Sequence, residues 1–142
     1  MNIQAAQFDM LKTIPIGIND SEMLNRIHSE DINSDYLQLL KETAPFNDES
    51  LSYWLNINVK TFRSYKQEKQ KLNINIREHV LLLLSLMQHG KYVFATAEKF
   101  RDWLIKDNYF LDGKAPVDFL QTITGIRFID RQLTAMEYGD NV

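Results

Sequence analysis

Apolar residues along this chain recur at intervals of three and four, and no run alternates apolar and polar positions between hairpin turns, so the pattern predicts an all-α protein. Phe8, Met10 and Leu11 open a short helix that Pro15 and Gly17 cannot continue. A second helix is expected from a cap at Asp20 or Ser21 to about His28. A third is expected from Ser34 through YLQLLKET, stopping where Ala44 precedes Pro45. Asn47 or Asp48 then caps a short helix with Leu51, Trp54 and Leu55 on one face; Ile57 lies in a turn, and Asn58 caps VKTFRSYK, whose Phe62 points inward.

The stretch IREHVLLLLSLMQHG is apolar nearly all round, which suits a helix sandwiched within the protein or placed in a subunit interface; Gly90 is read as its left-handed C-terminal cap. After it, Val93, Ala97, Phe100 and Leu104 form one stripe with Trp103 beside it, predicting a helix of about four turns that stops near Asn108. Trp54, Trp103, Tyr109 and Phe110 are assigned to the core, since large aromatics at helical spacing usually supply packing area. Gly113 suits a turn with positive φ, Pro116 the first turn of a helix, and Asp118 the positive end of that helix. The short helix VDFLQTI is expected to end at Thr124-Gly125. IRFIDRQLTAMEY then resumes, with Ile126, Ile129, Leu133 and Met136 on one face, until Gly139 releases a tail.

Composition limits this picture without redirecting it. With 142 residues, 44% of them hydrophobic, the chain suffices for one compact domain or two small subdomains sharing a core. The longest apolar run, HVLLLLSLM, falls short of the roughly 20 residues that span a bilayer, so no membrane segment is expected. The N-terminus lacks the features of a secretory leader and there is no cysteine, which together suggest a cytoplasmic protein. His28, His79 and His89 are scattered without metal-ligand spacing, and phosphate-loop, dinucleotide and nucleophile-elbow motifs are missing. Neither an enzyme, a cofactor nor a metal site is expected.

Charge does redirect the picture. Residues 1–57 carry three basic and nine acidic side chains, residues 58–77 six and one, and residues 78–142 seven and nine. The basic block coincides with the helix after Asn58, where Lys60, Thr61, Arg63, Ser64 and Lys66 project outward. A bracing helix followed by a polar, basic one is the plan of a helix-turn-helix that reads the major groove. A solvated basic face with ordinary ion pairs would present the same sequence.

Taken in order, WL at 103–104, LDGKAP at 111–116, DFL at 118–120, TITG at 122–125, Leu133 and MEYG at 136–139 resemble the C-terminal toxin-binding domain of the Xre/MbcA/ParS antitoxins. The likeness covers roughly residues 97–139 and includes the corner residues Gly113, Pro116 and Gly125. LNINVKTFRSYK resembles the Xre-like helix-turn-helix of the same family, with less arginine than is usual there. The resemblance implies an antitoxin of a type II toxin–antitoxin pair that forms a homodimer. Its C-terminal end would cover the active site of a RES-domain toxin that consumes NAD. It would also bind operator DNA, weakly or only as a complex, and so repress its own promoter.

The corresponding organisation is a variable lead-in with a short helix at 1–33, a helix-turn-helix domain at 34–90 and a toxin-binding domain at 91–142. From position and exposure, the toxin contacts are expected at Arg127, Arg131, Tyr138, Gly139, Asp140, Asn141 and Val142. The alternative is a stand-alone transcriptional regulator that uses the C-terminal helices for dimerisation.

Overall fold

The computed structural model describes residues 5–139. They form eight α-helices and two 3-10 turns, with one isolated antiparallel bridge between Asn33 and Lys71 and no strand among the described residues, in keeping with the all-α expectation. In the first half, α1 (Ala5–Lys12), α2 (Asp20–Ser29) and α3 (Asp35–Thr43) precede the pair α4 (Asp48–Trp54) and α5 (Val59–Ser64). The long α6 (Ile74–Phe94) is followed by α7 (Ala97–Ile105), the 3-10 turns Tyr109–Leu111 and Pro116–Phe119, and α8 (Ile123–Glu137).

Side-chain caps account for most helix starts. Asn47, Asn58, Asn73 and Thr122 each accept the backbone N–H of the residue three positions on, at 2.9, 2.7, 2.9 and 2.9 Å. The second helix starts one residue earlier than its acidic entry suggested: Asn19, not Asp20 or Ser21, takes the Glu22 N–H at 2.8 Å. Ala44 adopts extended angles ahead of Pro45, which ends α3 where expected.

Helix α6 is the axis of the fold and packs against α2, α3, α7 and α8. Leu81, Leu83 and Leu84 are inaccessible to solvent on different sides of it, so its all-round apolarity is explained by burial within this chain. Each such leucine contributes roughly 1.5–3 kcal/mol by leaving water. The segment between α1 and α2 is also pinned to α6. Ser85 Oγ donates to the Pro15 carbonyl at 2.7 Å and accepts the Gly17 N–H at 3.2 Å, while Ile14 and Ile18 are buried.

Gly90 does not cap α6. The helix continues through it to Phe94 and turns at Ala95, which carries the positive φ of 75°. Gly90 is required for close approach instead: a Cβ there would lie 2.2 Å from the Phe100 ring. The helix predicted from Val93 to Asn108 is therefore divided. Val93 belongs to α6, and after a bend of 103° a new helix starts from the Thr96 cap and ends at Ile105. No single helix among the described residues is long and apolar enough to cross a membrane.

Nor does Thr124-Gly125 separate two helices. Pro116–Phe119 is a single 3-10 turn, and α8 begins at Ile123 with Gly125 in its first turn. A Cβ at Gly125 would lie 1.8 Å from the Phe119 carbonyl oxygen, so glycine permits the turn and the helix to meet.

Candidate functional site

Two regions carry the residues singled out by sequence. In the first, α4 and α5 are joined at Asn56, whose φ of 60° makes the turn tight, and Leu51, Trp54, Leu55 and Phe62 are buried beneath them. Lys60, Arg63 and Lys66 are exposed, whereas Thr61 and Ser64 are half-buried. The Ser64 hydroxyl donates to the Thr61 carbonyl at 2.7 Å and so faces its own helix.

Asp48, at the start of α4, gathers the cations around it. Its carboxylate accepts Lys41 Nζ at 3.0 Å, Arg63 Nε at 3.1 Å and Lys66 Nζ at 3.1 Å, and Glu49 takes Arg63 Nη2 at 2.8 Å. Burial opposes the charge on Asp48, but the hydrogen bonds from Lys41, Arg63 and Lys66 prevail and hold its carboxyl well below the usual carboxylate range. Two of the basic side chains expected to meet DNA are thus already partnered by acids of the bracing helix. Lys60 forms no ion pair among the described residues.

The second region runs from the end of α6 to Gly139. Asn108 organises its corner: its carbonyl accepts the N–H groups of Leu111 and Gly113, both at 3.0 Å, its side chain accepts the Phe110 N–H at 2.9 Å, and its own N–H donates to the Lys114 carbonyl at 3.0 Å. Gly113 has the positive φ expected of it, 76°, and Pro116 opens the next turn as predicted. Asp118 accepts the Ala115 N–H at 3.3 Å. Two aromatics assigned to the core lie outside it, since Tyr109 is 87% and Phe110 59% exposed. Leu111 is the buried residue of this turn.

Helix α8 lies on α6 through Ile126, Ile129 and Leu133, with Met136 partly buried behind them. Polar contacts accompany that interface. His79 Nε2 donates to the Leu120 carbonyl at 3.0 Å, and burial pushes the His79 pKa down, so the neutral imidazole makes this bond. His89, 1% exposed, lies between two carboxylates of α8: Nδ1 is 2.7 Å from Asp130 Oδ1, and Nε2 meets Glu137 Oε1. Burial disfavours its charged form, yet the hydrogen bonds to Asp130 and Glu137 outweigh that effect and raise its pKa. This link escaped the sequence reading because its partners lie 41 and 48 positions away, with no motif spacing to connect them.

The residues expected to touch a toxin separate into three groups. Arg127 turns toward the N-terminal segment, pairing with Asp20 at 2.9 Å and donating to the Ile18 carbonyl at 3.1 Å. Arg131 and Tyr138 are exposed, and Gly139 turns the chain out of α8 with a φ of 80°. Asp140, Asn141 and Val142 lie outside the described residues. The two regions touch at the turn between α4 and α5, where Asn56 Nδ2 donates to the Gln121 carbonyl at 3.0 Å and Gln121 Nε2 to Asn56 Oδ1 at 3.3 Å.

Among curated proteins, no match to the chain is found. Comparison with family models matches residues 89–139, which contain the Asn108 corner, Gly125 and all of α8. Over that span the chain matches the antitoxin Xre/MbcA/ParS C-terminal toxin-binding domain, a binding module and not an enzyme.

Proposed function

We propose that this protein is the antitoxin of a type II pair, and that it neutralises a RES-type, NAD-consuming toxin by covering the entrance to the toxin's active site with its C-terminal end. The observation that carries this reading is the match of residues 89–139 to a toxin-binding domain. Its support in the fold is the way α8 is fixed to α6 by Ile126, Ile129, Leu133 and the His89 carboxylate pair, which leaves Tyr138 81% exposed beyond the last turn. Arg131 and Tyr138 are the contacts this geometry favours. Arg127 takes part only by exchanging its bonds to Asp20 and Ile18.

The same reading assigns operator binding and autorepression to α4 and α5, in a homodimer, alone or with toxin. Its support is the braced short helix and the concentration of basic residues in 58–77. The contacts from Asp48 and Glu49 to Arg63 and Lys66 compete with phosphate, so DNA affinity is low and falls with salt. Coexpression with a RES-domain protein encoded by the adjacent gene tests the reading. The full chain is expected to copurify with that protein and restore growth, and a chain ending at Glu137, which lacks Tyr138 and everything after it, is expected to protect poorly. Equal protection by the shortened chain would refute the blocking role of the C-terminal end.

A further inference from the structure

The exposed aromatics Phe8, Tyr53 and Tyr92 stand singly on helices, and isolated cases of that kind are ordinary. Tyr109 and Phe110 differ. They are adjacent, their rings meet edge to face with centroids 5.5 Å apart, and Ile105, 46% exposed, precedes them on α7. Phenylalanine has no polar group to favour its contact with water, yet more than half of Phe110 is exposed.

The backbone beneath the pair is fixed. Asn108 holds both sides of the turn through the hydrogen bonds to Phe110, Leu111, Gly113 and Lys114, the Lys114 N–H returns to the Leu111 carbonyl at 3.1 Å, and Leu111 is buried as the anchor. Aromatic side chains on such a corner lose little conformational entropy when a partner covers them, the condition under which one or two residues dominate an interface. The exposed Lys106, Asp107, Asp112 and Lys114 flank them in the sequence, so charges of both signs accompany the apolar pair.

We propose that Tyr109 and Phe110 are an anchor for the toxin, inserted into an apolar groove of that protein that accepts a phenyl ring and hydrogen-bonds the tyrosine hydroxyl. The occupant follows from location: the corner lies inside the span that matches a toxin-binding domain. The inference rests on the antitoxin reading and extends it, because it places a second contact well before the C-terminal end in sequence.

The test measures binding of the full-length chain to the purified RES-domain candidate toxin, comparing wild type with the Tyr109→Ser/Phe110→Ser double variant. Because both side chains are exposed, the variant is expected to retain helicity and melting temperature. Its affinity is expected to fall on the order of 30-fold or more, mainly through faster dissociation. Affinity within about twofold of wild type, a difference small beside that of an anchor residue, overturns the anchor and leaves the antitoxin reading intact. Loss of self-association with unchanged toxin affinity overturns it in favour of a second copy as occupant. Failure of the wild-type chain to bind removes the antitoxin reading and the anchor with it.

Discussion

His89 Nδ1 lies 2.7 Å from Asp130 Oδ1, and through this contact a buried imidazole on α6 holds the helix that carries Arg131 and is capped by Tyr138. Because the folded pKa of His89 is raised, protonation is linked to folding with a definite sign. The stabilisation is fully present below the ordinary imidazole value of about 6.5 and is lost as pH rises through the higher folded value. Thermal melts of wild type and His89→Gln should therefore differ most near pH 6 and converge in alkali. Near pH 6 the substitution is expected to cost roughly 3 kcal/mol, the scale for removing one member of a buried charged pair. A gap that widens with pH would contradict the assignment.

Asp48 titrates in the opposite sense. Its carboxyl is held below the usual carboxylate range, so its contribution is present above the unfolded value of about 3.9 and is lost as pH falls through the lowered folded value. Asp48→Asn is expected to lower the melting temperature by several degrees at neutral pH and to weaken the loss of stability in acid. Melting curves between neutral and acid pH check both effects.

The same substitution probes the proposed DNA-binding face of α4 and α5. Releasing Arg63 and Lys66 from Asp48 should raise affinity for promoter DNA, whereas Lys60→Ala should lower it for every sequence and reduce the salt slope by about 1. Titrations at several salt concentrations separate the two effects. No binding at low salt, with or without toxin, would remove DNA from the account.

Gly90 and Phe100 provide a packing test. Alanine ordinarily favours a helix interior over glycine by about 1 kcal/mol, yet here its Cβ would meet the Phe100 ring, so Gly90→Ala is expected to destabilise by roughly 1–3 kcal/mol. In a Phe100→Leu background the penalty should shrink. Chemical denaturation of the four proteins in this cycle measures the coupling.

Much of this fold was legible in local sequence. Asn47, Asn58, Pro45 and the stripes through Leu51, Trp54, Leu55 and Phe62 act within a few residues of their own position, and those helices begin and end close to where the pattern puts them. The errors arose where one residue type serves two physical purposes. Gly90 and Gly125 read as helix ends, yet each is needed because Phe100 or the Phe119 carbonyl approaches from elsewhere in the fold. Tyr109 and Phe110 read as core because aromatic area is usually buried, whereas their exposure places them outside it, on a turn whose backbone Asn108 holds. Asp48 and His89 draw partners from other helices, a relation that spacing along one helix does not encode.

The proposed neutralisation of a RES-type toxin is measured by following NAD consumption by the purified candidate toxin while the purified chain is added. NAD consumption is expected to decline in proportion to added protein and to stop once the toxin is saturated, with a stable complex formed at that point. Undiminished NAD consumption in the presence of excess chain would contradict it.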